Sequence, residues 1–172
     1  MKLSLALLSA AAMLTAAPAI AADGPTDPQI AHIAYTAGNI DVAAGKQALA
    51  KTHNTAVRSF AQEMVRDHNA VNDKALALVK KLHVVPQDNP TSQNLTKAAA
   101  AERSKLAKLS GAAFDREYVN HEVAYHKTVN GALETTLIPN AKNGELKSLL
   151  ETGLTLFREH QAHAEQVARG LK

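Results

Sequence analysis

The chain has 172 residues, no cysteine, and 19 Lys and Arg against 16 Asp and Glu. That length suits one domain, and the missing thiols exclude disulfides, thiolate catalysis, iron–sulfur clusters and Cys-bound zinc. Near-balanced charge and only 3% aromatic residues argue against nucleic acid and against an aromatic-lined sugar groove.

The first segment reads as a leader rather than as part of a fold. Met1-Lys2 is a short basic start, and Leu3 to Ala17 is apolar and rich in Leu and Ala. Pro18 and then Ala19-Ile20-Ala21-Ala22 supply the small residues that a signal peptidase needs. We expect a cleaved secretory signal over residues 1–22, leaving Asp23 first; cleavage after Ala21 fits as well. The apolar run is short for a membrane span, and no second long apolar segment follows. Residues 23–172 are then a single exported domain without a membrane span, periplasmic or secreted.

The rest follows a helical period. Asp27-Pro28 suggests an N-cap with proline at the first helical position. Ile30, Ile33, Ala37, Ile40, Ala44 and Ala48 form the apolar stripe of a first helix ending near Thr52-His53. Asp41 flanks that stripe and reads as a rim carboxylate. Asn54 or Thr55 can cap a second helix with the stripe Val57, Phe60, Met64, Val71, Ala75, Leu78 and Leu82, stopped by Val84-Val85-Pro86. His68 falls on this stripe, with Glu63 and Asp67 beside it. So short a connection makes the first two helices an antiparallel hairpin.

Thr91 or Ser92 can cap a thinner helix with Leu95, Leu106 and Leu109, broken at Ser110-Gly111. It reads as a connecting helix, and the sequence leaves open whether it crosses the bundle or folds back. The next helix places Phe114, Tyr118, Glu122, Tyr125 and Val129 on one face, with Asp115 and His126 at its edge, and runs to Ile138-Pro139. After a turn at Asn140 to Gly144, the last helix carries Leu146, Leu150, Leu154, Phe157, His160, Ala164 and Val167, with His163 near the apolar face. The fold class expected is all-α: a four-helix bundle with an extra connecting helix between the second and third long helices.

His68, Glu122, His126, His160 and Asp41 all lie near the middle of their helices, so they can meet at one level whichever way the helices run. Bundles build metal sites from inward carboxylates and imidazoles. Here the ligand candidates are His68, His126 and His160 with Asp67 or Glu122; Asp41, Met64, Asp115, Tyr118 and His163 are candidates for a surrounding shell. Three imidazoles and a carboxylate suit zinc or copper better than paired iron. The Glu-x-x-His pairs of di-iron bundles are absent, which leaves a di-metal oxidase the weakest reading. The blander reading of the same residues is a buried hydrogen-bonded network that only fixes helix register. No nucleophile-elbow glycine pattern or Gly-rich phosphate loop appears, and the residues argue for a non-enzymatic role.

Two pieces in this order are specific together: Met64-Val65-Arg66-Asp67-His68, within the run from Phe60, and Phe114-Asp115-Arg116-Glu117-Tyr118, within the run from Gly111 to Val119. With His126 and the late His160 and Ala164, they resemble an exported bacterial family of unknown function, family four-one-four-two, over about Asp27 to Ala168. The resemblance implies a ferritin-like bundle outside the cytoplasm, with no assigned activity, and it points to Asp67, His68, Phe114, Asp115, Tyr118, His126 and His160 as its motif residues. The family's outer-membrane label fits poorly, because nothing here reads as a barrel or an anchor. The function expected is binding or buffering of a transition metal ion such as zinc, copper or iron. The alternative is an envelope structural or interaction module.

Overall fold

The computed structural model describes residues 24–171, so the expected leader over residues 1–22 lies outside the described part. The helices are α1 (Asp27–Lys51), α2 (Thr55–Lys81), α3 (Pro90–Ala107), α4 (Gly111–Ala132), α5 (Ile138–Asn140) and α6 (Gly144–Gly170). A π-helical turn, Leu133–Leu137, joins α4 to α5. There are no strands among the described residues.

Side-chain caps set three of the starts. Asn54 accepts hydrogen bonds from the Ala56 and Val57 N–H groups, and Asn143 accepts from Glu145 and Leu146, each satisfying two orphan donors. For α3 the cap is Asn89, which accepts from Thr91 and Ser92, rather than Thr91 or Ser92 itself. Pro90 then takes the first helical position, where its missing N–H loses nothing.

The start of α1 also moves by one residue. Thr26 is the cap, with its N–H donating to Gln29 Oε1 at 3.0 Å. Asp27, expected as the cap, sits inside the first turn and accepts instead from the Lys142 and Asn143 N–H groups, both at 2.8 Å. Those donors precede α6, so the carboxylate ties two helix starts together. A long-range partner decides the side chain's role here, and no local pattern reveals it.

Thr52 to Asn54 is the whole connection between α1 and α2, which therefore run antiparallel. The Gln87 N–H reaches Pro28 O at 3.0 Å, so the chain after α2 has returned to the start of α1. From there α3 runs parallel to α1. Asn89 Nδ2 lies on Gln29 O at one end, while Gln47 and Lys51 donate to Arg103 O and Ala107 O at the other. The connecting helix thus crosses the length of the bundle, and α4 and α6 then run down and up. Up-down-down-up order with one long crossover is the ferritin-like connectivity.

Pro139 explains the π-helical turn. It offers no N–H to the carbonyl four residues back and would crowd it. Widening the helix over Leu133–Leu137, with the Ile138 N–H on Leu133 O, carries the chain to that proline without breaking the rod.

The interior is layered along its axis. An upper apolar cluster includes Ala48, Val57, Phe60, Met64, Leu106, Phe114, Tyr118 and Val167. A lower cluster includes Ile30, Ile33, Leu133, Leu137, Leu146, Leu150 and Phe157. Between them lie buried polar groups from all four long helices: Asp41, His68, Glu122, His126 and His160.

Candidate metal centre

Helical spacing brings these groups inward. His68 follows Met64 by one turn, His126 follows Glu122, and His160 precedes Ala164, each on the face that its neighbour already buries. The three imidazoles form a near-equilateral triangle, with ring centroids 5.7 Å (His68–His126), 5.2 Å (His68–His160) and 5.6 Å (His126–His160) apart. One ring nitrogen from each lies within 4.8 Å of the others.

Two rings have their tautomers set by a partner outside the triangle. His126 Nδ1 donates to the Glu122 carbonyl oxygen at 3.0 Å, and His160 Nε2 donates to Asp67 Oδ2 at 3.2 Å. That leaves lone pairs on His126 Nε2 and His160 Nδ1, both buried and without a protein partner. Neither nitrogen of His68 has a hydrogen bond; its Nε2 lies 3.5 Å from Asp41 Oδ2. Asp67 itself is clamped by Arg66 Nε and Nη2 at 2.7 and 2.9 Å, and that guanidinium beside it holds its carboxyl below the usual range.

Burial governs the protonation of the layer. It pushes His126 down to about 4 and His68 well below its ordinary value, and it lowers His160 as well. Neighbouring imidazoles add to the depression of the first two rings. All three rings are therefore neutral at pH 7, the form that ligates metal. Burial pushes Glu122 up to about 8 and raises Asp41 strongly, with the Glu122 charge raising Asp41 further. Loss of water around the Glu122 carboxylate is the main cause there, and the neighbouring Asp41 carboxyl works against it.

Three overlapping donor groups result among the described residues: His68 with His126 and His160; Asp41 with Glu122 and His126; and Glu63 with Asp67 and His160. Asp41 is only 3% exposed, so it is a wall of the site and not the rim carboxylate that the sequence suggests. His163 stands further out, with Nδ1 2.5 Å from Glu63 Oε2 and its ring edge-on to Phe60. Met64 and Tyr118 belong to the upper apolar cluster, and the Tyr118 hydroxyl has no partner. Asp115 is buried but joins none of the three groups. Tyr125 donates to Ala37 O at 3.2 Å, and its ring stands edge-on to His126 with centroids 6.3 Å apart.

Two buried amides escaped the reading of the sequence. Asn130 Nδ2 donates to Phe157 O and Gln161 Oε1, pinning α4 to α6 just below His126, and Asn72 donates to Asn39 Oδ1 below His68. Each follows a triangle histidine by four residues, so the same periodicity would have found them. The donor set does not fit the di-iron pattern, since no Glu-x-x-His pair contributes to it.

A family model described as "Domain of unknown function (DUF4142)" matches residues 10–167. Among curated proteins there is no significant match. One solved structure similar to this chain is titled "Crystal structure of putative secreted protein DUF305 from Streptomyces coelicolor". It is 14% identical, with a TM-score of 0.62, over 88% of this chain and 91% of that one. At that identity the likeness concerns the fold alone, and it agrees with the helical ferritin-like architecture.

Proposed function

The chain belongs to the DUF4142 family, which carries no assigned activity, and we propose that it is an exported, non-enzymatic protein that binds a single transition metal ion through His68, His126 and His160. One observation carries this reading. His126 and His160 each spend one nitrogen on an outer acceptor and keep the other unpartnered inside a buried cluster. Outer carbonyls and carboxylates orient metal-binding histidines in this way. Asp67 orients His160, while Glu122 and Asp41 are the carboxyls at hand for a fourth ligand.

Ligand nitrogens around a tetrahedral zinc at 2.0–2.1 Å are about 3.4 Å apart, and one nitrogen of each ring already lies within 4.8 Å of the others. Export is supported by the leader-like first 22 residues and by the secreted description of the similar Streptomyces coelicolor structure. No described helix is long and apolar enough to cross a membrane.

A second reading has its own support. The cluster separates two apolar cores and is partly satisfied without an ion, as a register-fixing network of an envelope module would be.

Thermal unfolding of the chelator-stripped protein, alone and with Zn(II), Cu(II) or Fe(II), separates the two. Native-state binding raises stability by about 2.7 kcal/mol at a hundredfold excess over Kd. We expect a shift with one ion, lost in His126→Ala and His160→Ala. No shift with any ion would leave the network reading.

A further inference from the structure

Below the polar layer the long helices stand apart around a cavity of about 700 Å3, inside the range of roughly 300–1,000 Å3 that small-molecule sites occupy. Its lining on α1 runs from Asp41 down to Gln29, about 18 Å of helix at 1.5 Å per residue. Ile33, Ala37, Val71, Leu78, Leu133 and Leu150 make its walls, and Leu95 of the crossover helix also reaches its lining. So long and apolar a space offers water few partners.

Its inner end is different. There Asp41 and His68 line the cavity, 3% and 2% exposed. Asp41 Oδ1 and both ring nitrogens of His68 lack a hydrogen-bond partner, and the His68 ring stacks on Phe157 at 4.7 Å. Together they offer hydrogen-bonding capacity at the closed end of an apolar tube. An anionic head is unsuited to that depth, because beside the Asp41 carboxyl it would lose its hydration without a matching counter-charge.

We propose that this cavity binds a single-chain amphiphile: one alkyl chain along the apolar walls, with a neutral hydrogen-bonding head, such as a hydroxyl, on Asp41 and His68. The site goes beyond the metal reading: it shares His68 and Asp41 with it, but neither His126 nor His160 is part of the lining, so binding of the chain does not require the ion.

Calorimetric titration of the metal-stripped full chain with linear 1-alkanols, from octanol to tetradecanol below their aggregation limits, tests it. We expect one alkanol per chain and affinity rising about fourfold per methylene, the factor that 0.8 kcal/mol of burial implies, until the cavity is filled. Ala37→Phe, which fills the wall, is expected to weaken dodecanol about tenfold. His126→Ala should retain dodecanol while losing any metal-dependent stabilisation, so the two proposals fail separately. Affinity that does not change with chain length overturns the proposal, as does unchanged affinity in a folded Ala37→Phe protein. If that variant does not fold, the chain-length series on the wild-type protein decides alone.

Discussion

At the scale of single residues, the polar layer is a set of opposed titrations. Three imidazoles whose folded pKa values lie below the ordinary 6.5, His126 at about 4, bind fewer protons folded than unfolded. Their stabilising effect is lost as pH falls through that window. Glu122, raised from 4.5 to about 8, and the raised Asp41 act the other way. The folded form keeps protons that the unfolded chain releases, so stability falls as pH rises toward 8. The rings thus act as pH falls below about 6.5, and the carboxyls act as it rises from 4.5 toward 8. In metal-free protein the alkaline limb belongs to the carboxyls, and the melting temperature should decline as pH rises from about 7 to 8. Glu122→Gln should flatten the alkaline limb, because an amide has no proton to lose; an unchanged slope would assign that limb to another group. The inward histidines were legible from spacing alone. The burial of Asp41 was not, because a flanking position on one helix is a rim or a wall according to what packs on it.

At the scale of elements, close approach and capping decide how the helices meet. A Cβ on Gly45 would stand 2.8 Å from Val65 Cγ2 and 3.1 Å from the Ala61 carbonyl oxygen, so α1 and α2 touch there through a missing side chain. Gly131 has nothing within 4 Å of the same construction. Alanine in an open helix interior gains about 0.5–1 kcal/mol over glycine. Gly131→Ala should thus raise the urea midpoint and Gly45→Ala lower it, and equal shifts would mean that the α1–α2 contact yields freely. Asn54→Ala removes the acceptor for two N–H groups at the start of α2 and should lower stability by about 1 kcal/mol in the same measurement. Helix existence and extent could be read from the chain, since the 3.6-residue stripe and the Asn and Pro signals are local. The caps of α1 and α3 each moved by a residue or more. In the case of α1, Asp27 answers backbone donors far along the chain.

At the scale of the whole molecule, the crossover helix decides the connectivity. With only Ser92 and Leu106 buried, α3 has too thin an apolar face to declare its neighbour, and its parallel run along α1 rests on contacts to carbonyls at both ends. The sequence by itself determined an all-α chain, the order and approximate limits of its long helices, the inward face of each, and the ferritin-like resemblance. Tertiary structure alone decided that α3 spans the bundle, that Asp41 closes the layer beside His68, that Asp67 pairs with His160, and that a cavity lies beneath. Periodicity is a property of one helix and fixes a direction. Which groups meet, at what depth and around what empty volume, depends on the packing of several helices at once, and no one-dimensional pattern expresses that.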